Sequence, residues 1–427
     1  MSVNAQLPTE GPVSGSMTNG QLRHHGQPSP ADGASARIVP KVLFINHAAT
    51  LAGGELSLLS LAAAWGGERK VVLFENGPFC AQLRAAGIPV SVSVAADAVL
   101  DATRDSGRGM RVVAGVLAAS AHISRNARKA DVLIANSQKA FVIGALTAFL
   151  VRRPLVWQLR DILSLEHFAS DRIRLVVNLA NRIASRVICN SRATADAFIE
   201  AGGKTEKVRV VYGGIDPAPF DNVSPADVER HRAELAPEGT PLVGVFSRLA
   251  PWKGQHILLD AMRLLPDVRV VFVGGALFGE GGYALDLEQR ARALGVENRL
   301  KFLGFRDDVP LLMRACDVIV HTSTAPEPFG RVIVEGMLAG RPVVATDAGG
   351  AREIVADGET GRLVRPGDPA ALASAVRDLL DRPDEVERLA ANGGQTARRR
   401  FSVASMVQAI EQIVTEVWMA PDLQAVR

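Results

Sequence analysis

The chain has 427 residues, 48% of them hydrophobic, with 48 Lys+Arg against 45 Asp+Glu and a formal net charge of +3. That length exceeds one ordinary core and points to two domains. Cys80, Cys189 and Cys316 stand far apart without any C-x-x-C spacing, so neither a disulfide framework nor a metal site is expected, and the compartment is expected to be cytoplasmic.

Residues 1–40 are rich in Ser, Gly, Pro and Gln and lack an apolar h-region, which predicts a disordered tail and no signal peptide. Lys41 to Asn46 then reads as a short buried strand, followed by Gly53-Gly54 and a helix from Glu55 to about Trp65. Two glycines there let backbone N–H groups approach a ligand at the positive end of a helix dipole. Strands follow at Val71–Phe74, Val90–Val94, Val132–Ala135, Leu155–Leu159, Val187–Asn190 and Val208–Tyr212, separated by segments of helical length. Short apolar runs spaced by helices predict a parallel sheet covered on both faces, the doubly wound α/β class. Ligands of such sheets lie beyond the strand C-terminal ends, where His47, Asn136, Arg160-Asp161 and Asn190 stand. Phe141 to Val151 is too short to span a membrane and is closed by Arg152-Arg153-Pro154, so it reads as a buried helix.

The pattern breaks at Gly213-Gly214, and residues 216–240 read as a linker with a short helix. A second Rossmann-like series occupies 241–400, with strands at Leu242–Phe246, Val268–Val273, Leu300–Leu303, Val318–Val320 and Val343–Ala345. Residues 41–215 and 241–400 are thus two similar domains, and a cleft between them is a natural ligand site. An amphipathic helix over 403–417 is expected to pack back across the first domain.

Arg248 and Lys253 share one loop after the first strand of the second domain. A planar fork and a point charge together suit a diphosphate better than a single carboxylate. Further on, Glu327 and Glu335 bracket E-P-F-G-R-V-I-V-E. Pro326, Pro328 and Gly330 keep Glu327 out of regular structure, whereas Arg331 to Ala339 is an apolar helical run ended by Gly340 and Pro342. Glu335 then has two readings: an i,i−4 pair with Arg331, or an acceptor for a vicinal diol such as a ribose, next to a helix N-terminus that offers N–H groups to an anion. No D-x-D occurs in the chain.

Charge is unevenly spread. Lys41 to Arg209 holds 22 Lys+Arg against 13 Asp+Glu, a net of +9, whereas Pro241 to Arg400 holds 21 of each. Arg104, Arg108, Arg111, Arg125, Arg128 and Lys129 face only Asp105. Such a run is either a solvated helix face or an attraction to an anionic acceptor or bilayer surface.

With these residues in place, the chain from Lys41 to Val417 resembles the family 4 retaining glycosyltransferases, which have the GT-B architecture of two Rossmann-like domains facing across a cleft. The E-x7-E pattern from Glu327 to Glu335 is its most specific element, and the stretch from Gly244 to Gly254 is similar to the family's G-R-L-x-x-x-K-G loop. The resemblance implies a nucleotide-sugar donor and a glycan or lipid-linked acceptor, with no cofactor, no metal and no nucleic acid. It implies that Arg248 and Lys253 hold the diphosphate and that Glu335 binds the ribose. Glu327 would approach the sugar hydroxyls beside the main-chain N–H groups of Phe329 and Gly330. Gly53 and Gly54 would lie against the phosphates, and Phe305 would stand on the nucleobase side. Many members end the fifth strand with His-Asp where this chain has Arg160-Asp161, and a guanidinium cannot accept a proton. Two alternatives share the architecture: a sugar-nucleotide epimerase, which needs no acceptor, and a non-catalytic nucleotide-sugar binding protein. A peripheral contact with the inner face of an anionic membrane is the expectation drawn from the basic first domain.

Overall fold

The computed structural model describes residues 39–93, 109–166, 168–276 and 280–420. The tail expected over 1–40 falls, but for its last two residues, outside them, as do Arg104 and Arg108. Strands β1 (Val42–Asn46), β2 (Arg69–Leu73), β3 (Val90–Val92), β4 (Val132–Ala135), β5 (Leu155–Leu159), β6 (Ala184–Cys189) and β7 (Val208–Val210) form one sheet in the order β3-β2-β1-β4-β5-β6-β7. A second sheet joins β8 (Leu242–Phe246), β9 (Arg269–Val273), β10 (Leu300–Gly304), β11 (Val318–His321), β12 (Val343–Thr346) and β13 (Arg362–Val364) in the order β10-β9-β8-β11-β12-β13. Every pairing is parallel. The doubly wound class expected from the apolar runs is the class observed.

Alternation along each strand feeds two cores per sheet. Leu43, Ile45 and Leu133 face one side of the first sheet, and Val42, Phe44, Val132 and Ile134 face the other. In the second sheet Leu242, Phe246 and Ile319 point one way and Val243, Val245 and Val320 the opposite way. Side chains of period two buried on both faces give near-continuous apolar strands.

The helix Val403–Met419 buries Met406, Val407, Ile410, Ile413, Val414 and Val417, a spacing that forms one stripe of a 3.6-residue period. That stripe lies in the same core as Val42, Phe44 and Leu58 of the first sheet. The chain therefore crosses between the two sheets twice, and the crossings touch: Ile215 N–H donates to the Phe401 carbonyl at 2.8 Å. A Cβ on Gly214 would sit 2.7 Å from the Val403 Cα, so only glycine lets the two strands of this hinge pass.

Residues 216–240 differ from a free linker. They hold helices Ala218–Asp221 and Pro225–Leu235, and Phe220, Leu235 and Ala236 are buried in the second-sheet core. The acidic surface of this stretch hides the few apolar residues that dock it.

Candidate active site

In each sheet the strand order reverses direction once, between β1 and β4 in the first and between β8 and β11 in the second. At such a reversal the connections leave to opposite sides and open a crevice beyond the strand C-termini. Residues that follow these four strands, joined by Arg160 after β5, build the site.

On the first-domain side, Gly53 and Gly54 are the opening residues of the helix Gly53–Ala63, not a turn preceding it. A Cβ on Gly54 would lie 3.7 Å from the Arg160 side chain, and one on Gly53 would lie 4.0 Å from that of Arg331 in the other domain. Behind them is a buried polar lattice, of which the sequence marks Asn136 and Arg160 as strand-end residues but not their partners Asn46 and Glu55. Asn46 Nδ2 donates to Glu55 Oε1 at 3.1 Å, Asn136 Nδ2 donates to Asn46 Oδ1 at 3.1 Å, and Arg160 Nε donates to Asn136 Oδ1 at 2.8 Å. Arg160 also donates to Ser57 Oγ at 3.0 Å and to Gln158 Oε1 at 2.8 Å. Burial pushes the Arg160 guanidinium down to about 10 and the Glu55 carboxyl up. With its donors turned to neutral protein acceptors, Arg160 acts as a cross-brace between β5, β4 and the glycine helix, and no proton can be routed to it.

His47, at the end of β1, hydrogen-bonds through Nδ1 to Ser137 Oγ at 2.8 Å, and Ser137 caps the helix Gln138–Val151. Burial, aided by the charge of Lys139, lowers this imidazole to about 4. The folded state thus disfavours His47 protonation. The stability tied to this group is complete above the ordinary histidine range near pH 6.5 and is lost as pH falls from there toward 4. Unfolding free energy measured between pH 6.5 and 5 is expected to fall with a slope of up to about 1.4 kcal/mol per pH unit, and His47→Gln is expected to flatten it. Equal slopes in both proteins would assign the acid sensitivity elsewhere.

On the second-domain side, the loop after β8 turns through Pro251–Lys253 and sets Trp252 against both cations. The Lys253 Nζ stands 4.1 Å and the Arg248 Cζ 5.5 Å from the indole centroid. Arg248 pairs with Glu280. Lys253 Nζ reaches Glu327 Oε2 at 2.6 Å. Gly254 follows in the left-handed conformation at φ 69°, and its backbone packs so closely on Thr322 that any Cβ would lie 2.0 Å from that carbonyl. Glu327 also receives His321 Nε2 at 3.2 Å and Ser323 Oγ at 3.0 Å. Burial alone would raise the Glu327 carboxyl, but the Lys253 charge and the hydrogen bonds from His321 and Lys253 outweigh it, holding the group well below the usual carboxylate range.

Gly330, at φ 98°, opens the helix Arg331–Leu338. Within it Glu335 Oε1 accepts from Arg331 Nε at 2.6 Å, so the plainer of the two readings of this glutamate describes its present partner.

A cavity of about 160 Å³ brings together Gly53, Gly54 and Arg160 from one domain with Glu327, Phe329, Gly330 and Arg331 from the other. Lys253 adjoins it through Glu327, and Glu335 through Arg331. Arg248 lies outside that lining, on Glu280, and Phe305 is 63% exposed just past β10. The two walls are clasped beside the cavity: Glu353 accepts from the N–H groups of Arg192 and Ala193 at 2.8 and 3.0 Å, and Thr194 Oγ1 donates to the Pro328 carbonyl at 3.3 Å. Among the described residues, no group of three His, Cys, Asp or Glu side chains is placed to hold a metal ion.

Two parallel sheets, each doubly wound, with a cavity where glycine-opened helices of both meet, define the GT-B architecture. Sequence models of two glycosyltransferase families match it: Glycosyltransferase Family 4 over residues 55–219 and Glycosyl transferases group 1 over 227–396. The solved structure of Anabaena Alr3699/HepE in complex with UDP and glucose is 44% identical, covers 88% of this chain and 99% of that chain, and superposes with a TM-score of 0.81. The lipopolysaccharide core biosynthesis glycosyltransferase LpsE of Rhizobium meliloti is 32% identical over 53% of this chain and 63% of its own length. The phosphatidyl-myo-inositol mannosyltransferase of Mycobacterium leprae is 39% identical over 38% of this chain and 44% of its own. The chain spans about half the length of the curated relatives it matches. This chain belongs to the family 4 glycosyltransferases. The epimerase and binding-protein alternatives are not favoured by these relationships.

Proposed function

We propose that the protein is a retaining, metal-independent glycosyltransferase that moves a hexose from a UDP-sugar to a glycan or lipid-linked acceptor. The observation that carries this reading is the convergence of two helix N-termini, at Gly53-Gly54 and at Gly330-Arg331, on one cavity. Each offers unpaired N–H groups and the positive end of a dipole, which together match a diphosphate. The 44% identity to a protein solved with UDP and glucose supports a UDP-linked donor. In the transfer, the anomeric C–O bond breaks with its electron pair leaving on the diphosphate. The acceptor oxygen bonds to that carbon on the same face, and its proton passes to the departing phosphate. Lys253 and Arg248, once turned from Glu327 and Glu280, stabilise the negative charge that grows there. A thermal-shift series with UDP, GDP and ADP, their sugars and the free nucleosides tests this, since a ligand of the folded state raises the transition. UDP and UDP-hexose are expected to raise it and uridine to do so less. No shift with any nucleoside diphosphate would overturn the reading.

In the same reading Glu335 exchanges Arg331 for the two ribose hydroxyls. Glu335→Gln is expected to weaken UDP binding by roughly 1.5–3 kcal/mol, the range for hydrogen bonds to a charged group, with the fold intact. Lower stability with unchanged UDP affinity would leave Glu335 as the helix partner of Arg331 alone.

For the acceptor, a lipid-linked or polysaccharide precursor met at the cytoplasmic leaflet fits the relatives concerned with lipopolysaccharide core and phosphatidyl-myo-inositol. Of the basic run, Arg125, Arg128 and Lys129 precede the N-terminus of the central strand β4 and so lie at the end of the sheet opposite the strand C-termini and the cleft. At the cleft end, the segment after β5 exposes Leu165 at 75% and Leu175 at 64%, with Arg172 and Arg174 alongside. Co-sedimentation with anionic vesicles is expected to be lost in Leu165→Asp/Leu175→Asp and to weaken as salt rises, each cation adding about 1 kcal/mol near such a surface. Equal behaviour with neutral vesicles would favour a soluble acceptor.

A further inference from the structure

We propose that His321 and Ser323 are positioning residues that keep Glu327 charged and oriented while the Lys253 ammonium leaves that carboxylate for the donor diphosphate. The inference rests on the donor reading above and adds residues to it. Three donors converge on one oxygen, Glu327 Oε2: Lys253 Nζ at 2.6 Å, Ser323 Oγ at 3.0 Å and His321 Nε2 at 3.2 Å. That arrangement leaves Oε1 for the sugar. The His321 ring is 3% exposed, and Thr346 Oγ1 lies 3.3 Å from its Nδ1. With the Thr346 hydroxyl donating to Nδ1, the ring carries its proton on Nε2, an assignment made from the hydrogen-bond network. Nε2 faces Ser323 Oγ at 3.0 Å as well as Glu327 Oε2, so the imidazole supports the carboxylate both directly and through the serine hydroxyl.

The backbone on both sides is fixed. The Glu327 carbonyl accepts from Gly350 N–H at 2.7 Å, and the Lys253 carbonyl accepts from Thr322 Oγ1 at 2.7 Å. Only the lysine side chain is long enough to change partner. If Lys253 were the sole partner of Glu327, its departure would strand a carboxylate that is only 13% exposed, which is strongly unfavourable. Two neutral donors at the exit of β11 remove that penalty, because a carboxylate that keeps its hydrogen bonds tolerates loss of its counter-ion.

Isothermal titration with UDP and with uridine tests the hand-over, because the ratio of the two dissociation constants reports the diphosphate contribution alone. In His321→Leu the ratio is expected to fall about tenfold, the size of one hydrogen bond to a charged group, since Glu327 then holds the ammonium more tightly. Ser323→Ala is expected to shift it the same way, and it carries the test should the leucine variant fail to fold. His321→Gln, which keeps an N–H donor, is expected to stay near the wild-type ratio. Adding Glu327→Gln to His321→Leu is expected to restore it, because a neutral amide releases the lysine. A purely structural role would lower the melting temperature and move both affinities alike. An unchanged ratio in His321→Leu and Ser323→Ala overturns the inference while leaving the donor reading intact. A wild type that binds UDP no better than uridine overturns both.

Discussion

Lys253→Ala is expected to slow glycosyl transfer by about a hundredfold or more, the usual consequence of removing one donor aimed at charge that develops in the transition state. The loss in turnover should exceed the loss in UDP-sugar affinity, because the diphosphate oxygens gain charge as the glycosidic bond lengthens. The fold should tolerate the change, since His321 and Ser323 still donate to Glu327 when the lysine is gone. Steady-state kinetics on the purified variant, with the melting temperature as control, decides it. Equal losses in binding and in rate would restrict Lys253 to capture of the ground state.

Gly254→Ala is expected to damage the same site through the backbone. The residue holds φ 69°, and the left-handed region alone costs an alanine roughly 1–2 kcal/mol. The larger effect is steric: a Cβ 2.0 Å from the Thr322 carbonyl oxygen meets main chain that cannot rotate away. The loop must then separate from the exit of β11, carrying Trp252 and Lys253 with it, because Thr324 N–H donates to the Trp252 carbonyl at 2.8 Å across that junction. Denaturant unfolding should show a clear loss of stability, and activity should fall with Lys253 still present. A variant of wild-type stability and rate would mean that the loop takes another path past Thr322.

Much of this architecture is legible in the residues because parallel strands write themselves as short apolar runs. β1, β4, β5 and β8 were predictable to within a residue on that signal. β13, Arg362–Val364, went unread: three residues beginning with an arginine carry no period. β6 starts at Ala184, three residues earlier than expected, because the helix Ser170–Ile183 runs straight into it without a glycine or proline to mark the change. Helix boundaries at Gly330 and Gly340 were clear for the opposite reason, both glycines taking left-handed angles.

The site was legible as a set of places rather than as a set of bonds. Glycine pairs, two cations in one loop and two glutamates around a helix start could be located from local chemistry. Their partners could not, because Lys253 and Glu327 lie 74 positions apart and only the crossing of two strand ends joins them. The lattice of Asn46, Glu55, Asn136 and Arg160 was half visible, in the polar residues at strand C-termini. His321 and Ser323 carried that same positional signal, each standing at or just past the end of β11, and a polar residue at such a place is where a parallel sheet presents side chains to its ligand.

The stereochemistry of donor cleavage tests the central claim most directly, and water can stand in for the acceptor. Proton NMR of the hexose released from α-configured UDP-glucose, read before mutarotation and repeated with a chelator, reports both the anomer and any need for a metal. The account predicts that the α-anomer appears first and that its rate is the same with and without chelator. Initial release of the β-anomer, or a rate abolished by chelation, would contradict it.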